Sequence, residues 1–127
     1  MMKTKLDRLQ KNNLLTGTQL AVELRPTSSE YRKFLSVYGY NYNENGDVVS
    51  LSKFLKSSEE ERYYFEIRCY EIPKVYYENN WDVDDSILIN SEYIRDIKGI
   101  KSLENNLEKY LPDFSVLKPS SQCDNLF

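Results

Sequence analysis

The sequence contains no histidine and only two cysteines, Cys69 and Cys123, among its 127 residues. Without histidine the chain lacks the commonest general base and the commonest metal ligand, so Ser-His-Asp catalysis, Cys-His catalysis and the usual zinc sites are excluded. The two cysteines do not form a C-x-x-C pair, which favours free thiols in a reducing compartment over a disulfide. Carboxylates, lysine and tyrosine remain available for chemistry, but these absences disfavour an enzyme. We therefore expect no metal and no cofactor.

The sequence also lacks a long hydrophobic run. No apolar segment approaches the length of about 20 residues that spans a bilayer, and residues 1–8 lack the apolar segment of a secretory signal. We therefore expect a cytoplasmic protein that does not enter a membrane. A chain of 127 residues is long enough for one hydrophobic core and too short for two. A single domain is thus expected over residues 1–127.

The clearest pattern in the sequence is the alternation of residue types along Tyr63–Ile72. Read with a period of two, it places Tyr63, Phe65, Ile67 and Cys69 on one face and Tyr64, Glu66, Arg68 and Tyr70 on the other. Aromatic and β-branched residues dominate the run, and Pro73 closes it. The pattern predicts a central antiparallel strand with one buried face and one solvated face.

Shorter patterns supply the remaining elements. Thr18–Leu24 and Ser86–Asn90 are predicted to be strands, the second because it is a continuous apolar run. A helix is predicted over Ser28–Tyr38, since Thr27 opens a capping-box sequence and the apolar spacing that follows is helical. A second helix is predicted near Lys101–Leu111.

Together these elements predict an α+β fold, a single domain with a small antiparallel sheet around residues 63–72 and flanking helices. Residues 1–15 are expected to be a loosely held helix or a frayed terminus, and residues 118–127 a flexible tail. Residues 41–52 resemble a calcium loop in outline, but Asn41 and Ser52 stand where such a loop needs Asp and Glu. An Asn-Gly turn between two extended pieces is the favoured interpretation.

Charge is unevenly distributed along the chain. Residues 1–56 carry nine basic and five acidic side chains, whereas residues 57–97 carry four basic and eleven acidic ones. The predicted central strand lies inside this acidic block. Base stacking on Tyr64, Tyr70 and Arg68 at the sheet surface would suit a single-stranded nucleic acid. The negative block opposes a phosphate backbone, however, so we expect no direct nucleic-acid binding.

The acidic block contains a stretch that combines aromatic rings with carboxylates. Its members are Tyr76, Tyr77, Glu78, Trp81, Asp82, Asp84 and Asp85. Aromatic side chains give large, stiff contact areas, and negative charge speeds the encounter with a basic protein. The pattern therefore predicts a partner-binding surface, although Trp81 on its own is equally compatible with a core position.

Asp82, Asp84 and Asp85 also admit a metal-site interpretation. They would then be Mg²⁺ or Mn²⁺ ligands in a nuclease or phosphotransferase, a site that needs further oxygen ligands and usually a basic group near the substrate. The triplet is short, and a solvated acidic loop before a strand accounts for it better.

The second half of the chain runs from Tyr64–Ile72 into acidic Trp81–Asp85, then through an apolar strand and a helix to Leu111–Pro119. In this succession of segments the chain resembles the immunity proteins of bacterial polymorphic toxins, including those of contact-dependent growth inhibition systems. The resemblance implies a cytoplasmic protein that binds a cognate toxin, often a basic nuclease, and blocks its active site or its access to substrate.

We therefore expect a non-catalytic immunity protein that neutralises a basic toxin through the acidic, aromatic surface. The alternatives are a phage- or host-encoded inhibitor of another enzyme and, less favoured, a carboxylate-dependent nuclease that uses a metal ion.

Overall fold

Six antiparallel strands and three α-helices make up the part of the chain that the computed structural model describes, residues 4–51 and 61–123. In chain order the elements are α1 (Arg8–Leu15), β1 (Leu20–Leu24), β2 (Tyr31–Tyr42), β3 (Val48–Ser50), β4 (Tyr64–Pro73), α2 (Lys74–Glu78), β5 (Ile89–Lys98), α3 (Ile100–Leu107) and β6 (Lys118–Pro119). Single turns of 3₁₀ helix occur at Asp85–Ile87, Phe114–Val116 and Ser120–Gln122. The predicted α+β domain with a small antiparallel sheet is confirmed.

The strands lie in the order β5-β4-β2-β1-β6, and β3 pairs with the end of β2. β4 is therefore an interior strand, as the alternation of Tyr63–Ile72 predicts. Its pairing with β2 is the longest in the sheet and runs from Tyr31 opposite Pro73 to Tyr40 opposite Tyr64. The predicted strand Thr18–Leu24 corresponds to β1.

One face of the sheet carries the main hydrophobic core. The residues of the predicted buried face, Tyr63, Phe65, Ile67 and Cys69, are all buried there. α3 packs Ile100, Leu103 and Leu107 into the same core, which confirms the predicted C-terminal helix. α1 adds Leu14 and Leu15.

The prediction of a helix over Ser28–Tyr38 is wrong, because these residues lead into and form much of β2. β2 lies between β1 and β4, so Leu35 enters the main core and Phe34 a second cluster on the opposite face. A strand that is buried on both faces does not need to alternate apolar and polar residues. Apolar residues can then fall at helical spacing by coincidence, as they do in β2. The Thr27 hydroxyl, expected to cap a helix, instead donates to the carboxylate of Glu71 at 3.0 Å.

The prediction of a strand over Ser86–Asn90 is also largely wrong, because β5 begins only at Ile89. The Ser86 N–H and hydroxyl both donate to the Asp84 carboxylate, which turns the chain into the 3₁₀ helix Asp85–Ile87. Ile87 and Leu88 pack on the second cluster from above the sheet instead of joining its ladder.

That second cluster lies on the face of β4 that the sequence predicts to be solvated. Phe34, Tyr70 and Ile72 are fully buried there, under the segment 74–88. Only the other half of this face, around Tyr64, fits the expected solvated surface, since Tyr64 is partly exposed. Tyr70 therefore cannot stack on a base.

The two ends of the described chain pack against each other. The Gln10 side-chain amide donates to the carbonyls of Phe114, at 2.7 Å, and Leu117, at 3.1 Å. α1 also has a capping box, in which Asp7 and Gln10 bond each other's backbone N–H. This anchoring differs from the expected loosely held N-terminal helix.

The C-terminal segment also differs from expectation at its start. Residues 118–127 are predicted to be a flexible tail, but Lys118–Pro119 forms β6 and pairs with Leu20 and Ala21 of β1. Residues 124–127 of the predicted tail lie outside the described residues.

A tight turn joins β2 to β3, as the favoured interpretation of residues 41–52 predicts for its described part. The Asn43 N–H donates to the Asp47 carbonyl at 2.9 Å, and the Asn43 side chain accepts from the N–H groups of Asn45 and Asp47. Gly46 has a φ of 81°, the left-handed conformation that glycine adopts readily.

Candidate functional site

The residues expected to bind a partner lie in the connection that crosses the second face of the sheet. α2 begins directly after Pro73, where the backbone N–H of Lys74 donates to the Glu30 carbonyl at 2.8 Å. Proline cannot extend the strand ladder and favours a change of direction, so β4 ends and the helix starts at this point. Tyr76 and Tyr77 then pack on the cluster formed by Phe34, Tyr70 and Ile72.

Tyr77 faces the sheet and anchors α2 to it. Its ring lies 6.0 Å from the ring of Phe34, and the Arg32 guanidinium lies 4.6 Å from the Tyr77 ring centre and 5.1 Å from that of Phe34. Arg32 also donates two hydrogen bonds of 2.8 Å to Glu23 on β1. Arg32 was not identified from the sequence, because the residues that it contacts come from three separate segments. Tyr77 was predicted to bind a partner, but it packs on the sheet and supports the surface from below.

Trp81 stands at the end of a helix-terminating turn. The Trp81 N–H donates to the Tyr76 carbonyl at 3.0 Å, the Asn80 N–H donates to the Tyr77 carbonyl at 3.4 Å, and Asn80 has a φ of 52°. These bonds and the left-handed residue define a Schellman motif, in which the residue after the left-handed position contacts the helix three residues before its cap. That contact is the edge-to-face packing of Trp81 on Tyr76, with ring centres 5.4 Å apart.

The backbone turn and the ring contact with Tyr76 therefore place the Trp81 indole beside α2 without burying it. Trp81 is 53% exposed, although it is the only tryptophan of the chain and a large apolar side chain. Of the two positions that the sequence leaves open for Trp81, the structure shows the exposed one. The left-handed Asn80 is a signal that sequence reasoning missed, since asparagine after a short helix often occupies this position.

Carboxylates lie next to Tyr76 and Trp81 in the sequence. Glu78 and Asp82 are exposed, and neither has a hydrogen-bond or ion-pair partner within residues 4–51 and 61–123. Asp84 is exposed as well but is engaged by Ser86, whose hydroxyl and N–H hydrogen bonds lower the pKa of Asp84. Asp85 opens the 3₁₀ helix Asp85–Ile87.

A cavity of about 230 Å³ opens beside the aromatic pair; we call it the Trp81 pocket. It is lined by Tyr76, Tyr77, Asn80, Trp81 and Val83. A second cavity of about 510 Å³ lies on the other side of α2 and is bounded by Glu30, Tyr31, Pro73, Val75 and Glu78 among others. Concave, partly aromatic surface thus flanks the short helix on both sides.

A metal site is not apparent in the described part of the chain, where no group of three or more His, Cys, Asp or Glu residues is placed to hold an ion. Asp84, one of the three candidate ligands, is occupied by its bonds to Ser86. The described helices include none that is both long and apolar enough to cross a bilayer.

The uncovered half of the same sheet face carries a second group of tyrosines. The Tyr40 and Tyr42 hydroxyls both donate to the carboxylate of Asp96, and the Tyr42 ring packs edge-on against Tyr64. Arg95 lies over the Tyr93 ring, 5.7 Å from its centre. These contacts connect the Asp96 carboxylate and the Arg95 guanidinium to neighbouring tyrosines.

Comparison with protein-family models, with curated proteins and with solved structures finds no match to the chain.

Proposed function

We propose that the chain is a non-catalytic immunity protein, which binds a cognate, basic bacterial toxin in the cytoplasm and neutralises it. The observation that carries the proposal is the exposed Trp81, held against Tyr76 by the backbone turn beside the exposed carboxylates of Glu78 and Asp82. The resemblance of the second half of the chain to immunity proteins supplies the choice of partner.

The packing around Trp81 supports a role in binding. Tryptophan and tyrosine are enriched among the residues that dominate interface energies, and a side chain already fixed in the free protein loses little freedom on binding. Trp81 and Tyr76 lie together at the surface, so the pair offers a partner an apolar contact area whose burial is favourable.

The charge around Trp81 supports a basic partner. Glu78 and Asp82 are exposed and without partners in the described part of the chain, so their field reaches solvent. Such a field accelerates association with a positively charged protein and orients it, and both effects weaken as salt screens the charges.

A non-catalytic role is proposed from the composition. The whole sequence lacks histidine, and its acidic triplet has Asp84 bound to Ser86. Inhibition by occupying a toxin's surface needs none of the groups that are missing.

The test is co-purification of the tagged chain from its native host, side by side with a Trp81→Ala, Asp82→Lys variant. We expect the parent chain to retain one basic protein in a one-to-one ratio and the variant to lose it. Expression of that protein alone should arrest bacterial growth, and co-expression of the parent chain should restore it. A retained protein that is harmless to the cell would instead indicate an inhibitor of another enzyme.

The same preparation examines the competing enzyme function. Titration with Mg²⁺ or Mn²⁺ should give no saturable binding and no cleavage of DNA or RNA. Tight metal binding that Asp82→Asn abolishes, with nuclease activity, would replace the immunity proposal.

A further inference from the structure

We propose that the Trp81 pocket binds one cationic side chain, an arginine or a lysine, of the partner protein. This inference rests on the proposed function, which it deepens by stating the chemistry that the surface recognises. It makes the pocket the point at which a basic partner is anchored.

The size of the pocket sets the kind of occupant. Its volume of about 230 Å³ lies below the roughly 300–1,000 Å³ of pockets that take cofactors and drug-sized ligands. One long side chain fits this space. The pocket is also formed largely by a short helix and its terminating turn, so it is a surface recess and not a closed chamber.

The ring geometry sets the preferred chemistry. Tyr76 and Trp81 pack edge to face at an interplanar angle of 86°, and both line the pocket; we call this pair the aromatic corner. The face of an aromatic ring carries negative charge density, and tryptophan provides the strongest attraction for a cation. Arginine adds planar stacking on the ring and is weakly hydrated, so it enters such a corner at low cost.

The charge around the pocket also favours a cationic side chain. Residues 74–85 contain one basic side chain, Lys74, against four carboxylates. Glu78 and Asp82, which flank the aromatic pair in sequence, are exposed and have no partner in the described regions. The Arg32 guanidinium lies 4.6 Å from the centre of the Tyr77 ring, which also lines the pocket, but it is hydrogen-bonded to the Glu23 carboxylate. A purely apolar side chain would gain nothing from Glu78 and Asp82, whereas a cation gains from both the ring and the field.

The backbone turn prepares the corner before any partner arrives. Two backbone hydrogen bonds and the left-handed Asn80 fix the position of Trp81 relative to Tyr76. A recess that is already shaped needs little reorganisation on binding.

Trp81 is the only tryptophan in the chain, so its fluorescence and its indole N–H resonance report on this pocket alone. The probe is a short capped peptide with a single central arginine. Its control is the same peptide with citrulline, which has nearly the same shape but no charge. We expect a saturable change in the Trp81 signals with the arginine peptide and at least a several-fold weaker response with the citrulline peptide.

Two variants localise the effect. Tyr76→Leu keeps an apolar side chain for the cluster below but removes one ring of the corner, and it should reduce the difference between the peptides. Asp82→Asn should weaken arginine binding by about five-fold at most, the range of a single exposed ion pair. Equal responses to both peptides, or none to either, would overturn the inference.

The result is separable from that of the proposed function. If the Trp81→Ala, Asp82→Lys variant loses a toxic partner that the parent chain captures, while the parent chain does not bind the arginine peptide, the immunity proposal stands and the cation pocket is wrong. If the arginine peptide binds as expected but no toxic partner is captured, the pocket is correct and the immunity proposal fails.

Discussion

The carboxylate of Glu71 is completely buried and accepts hydrogen bonds from both the backbone N–H of Thr27, at 2.7 Å, and its hydroxyl, at 3.0 Å. A third bond comes from the side-chain amide of Asn90 at 2.5 Å. One charged group in β4 thereby holds the connection before β2 and the start of β5.

Stability should fall in acid because of Glu71. Burial raises the pKa of Glu71, but the hydrogen bonds from Thr27 and Asn90, with the charge of Lys33, outweigh burial and lower the pKa overall. The unfolded state then binds the proton more readily than the folded state. The stabilisation by Glu71 is therefore complete above the ordinary glutamate pKa of about 4.3 and is lost as the pH falls below that pKa. Urea unfolding at pH 7, 5, 4 and 3 measures this loss.

The Glu71→Gln variant is the control for that series. It keeps the size and an acceptor oxygen but cannot titrate, so the fall in stability between pH 5 and pH 3 should be shallower than in the parent chain. An unchanged slope would assign the acid sensitivity to other carboxylates.

A second prediction concerns Gly99, the residue that precedes α3. It has a φ of 89°, and a Cβ built there would lie 2.6 Å from a carboxylate oxygen of Glu61. The Glu61 carboxylate accepts from the N–H groups of Ile100 and Lys101 and so caps α3 from a distant part of the chain. Gly99→Ala should therefore both strain the backbone and displace the cap.

Gly46→Ala is the matched control, since Gly46 has a similar φ of 81° but open space around its Cα. We expect Gly46→Ala to cost about 1–2 kcal/mol from conformation alone. Gly99→Ala should cost at least about 1 kcal/mol more, because the cap is lost as well. Equal losses in chemical unfolding would show that Glu61 does not stabilise α3.

A third prediction concerns Gln10, which is buried and donates to the carbonyls of Phe114 and Leu117. Gln10→Leu removes the donors and leaves two carbonyls unsatisfied, so it should reduce the free energy of unfolding by about 1–3 kcal/mol. Lys11→Leu, on the same helix but only partly buried, provides the comparison. If the two substitutions prove equally mild, the bonds of Gln10 are not a significant link between the two ends.

A fourth prediction concerns the tyrosine pair at Asp96. The Tyr40 hydroxyl donates to the Asp96 carboxylate at 2.7 Å and accepts from the Asp96 N–H at 2.7 Å, while the less buried Tyr42 hydroxyl donates to the same carboxylate. Tyr40 is almost fully buried, so Tyr40→Phe should cost about 1–3 kcal/mol. Tyr42→Phe should be the milder change in the same thermal unfolding assay, and the reverse order would contradict this account.

The elements that sequence reasoning identified correctly are those with one buried face. β4 alternates from Tyr64 to Cys69, where only one face is fully buried, and α3 spaces Ile100, Leu103 and Leu107 on a single stripe. Each pattern is a direct consequence of a core on one side only. The errors occur where burial is two-sided or where side chains redirect the backbone. β2 is covered on both faces, and Ser86 is held by Asp84 in a turn.

The candidate site was predicted as a list of neighbours in sequence, and the structure separates their roles. Trp81 and Asp82 are exposed, whereas Tyr77 packs inward against Phe34 and Arg32. Sequence could not show this division, because Arg32 and Phe34 are more than 40 positions away from Tyr77. A sequence shows which residue types a surface segment contains. Which of these side chains face outward depends on residues that are distant in sequence.

The link between Gln10 and Phe114 joins residues 104 positions apart, and β6 completes one edge of the sheet with residues 118 and 119. During synthesis α1 emerges about 100 residues before Phe114 and Leu117, so the Gln10 amide has no carbonyl partners until those residues have been made. Contacts this far apart in sequence favour slow folding. A nascent chain cut short before residue 114 would leave the Gln10 amide without its carbonyls and β1 with an open edge.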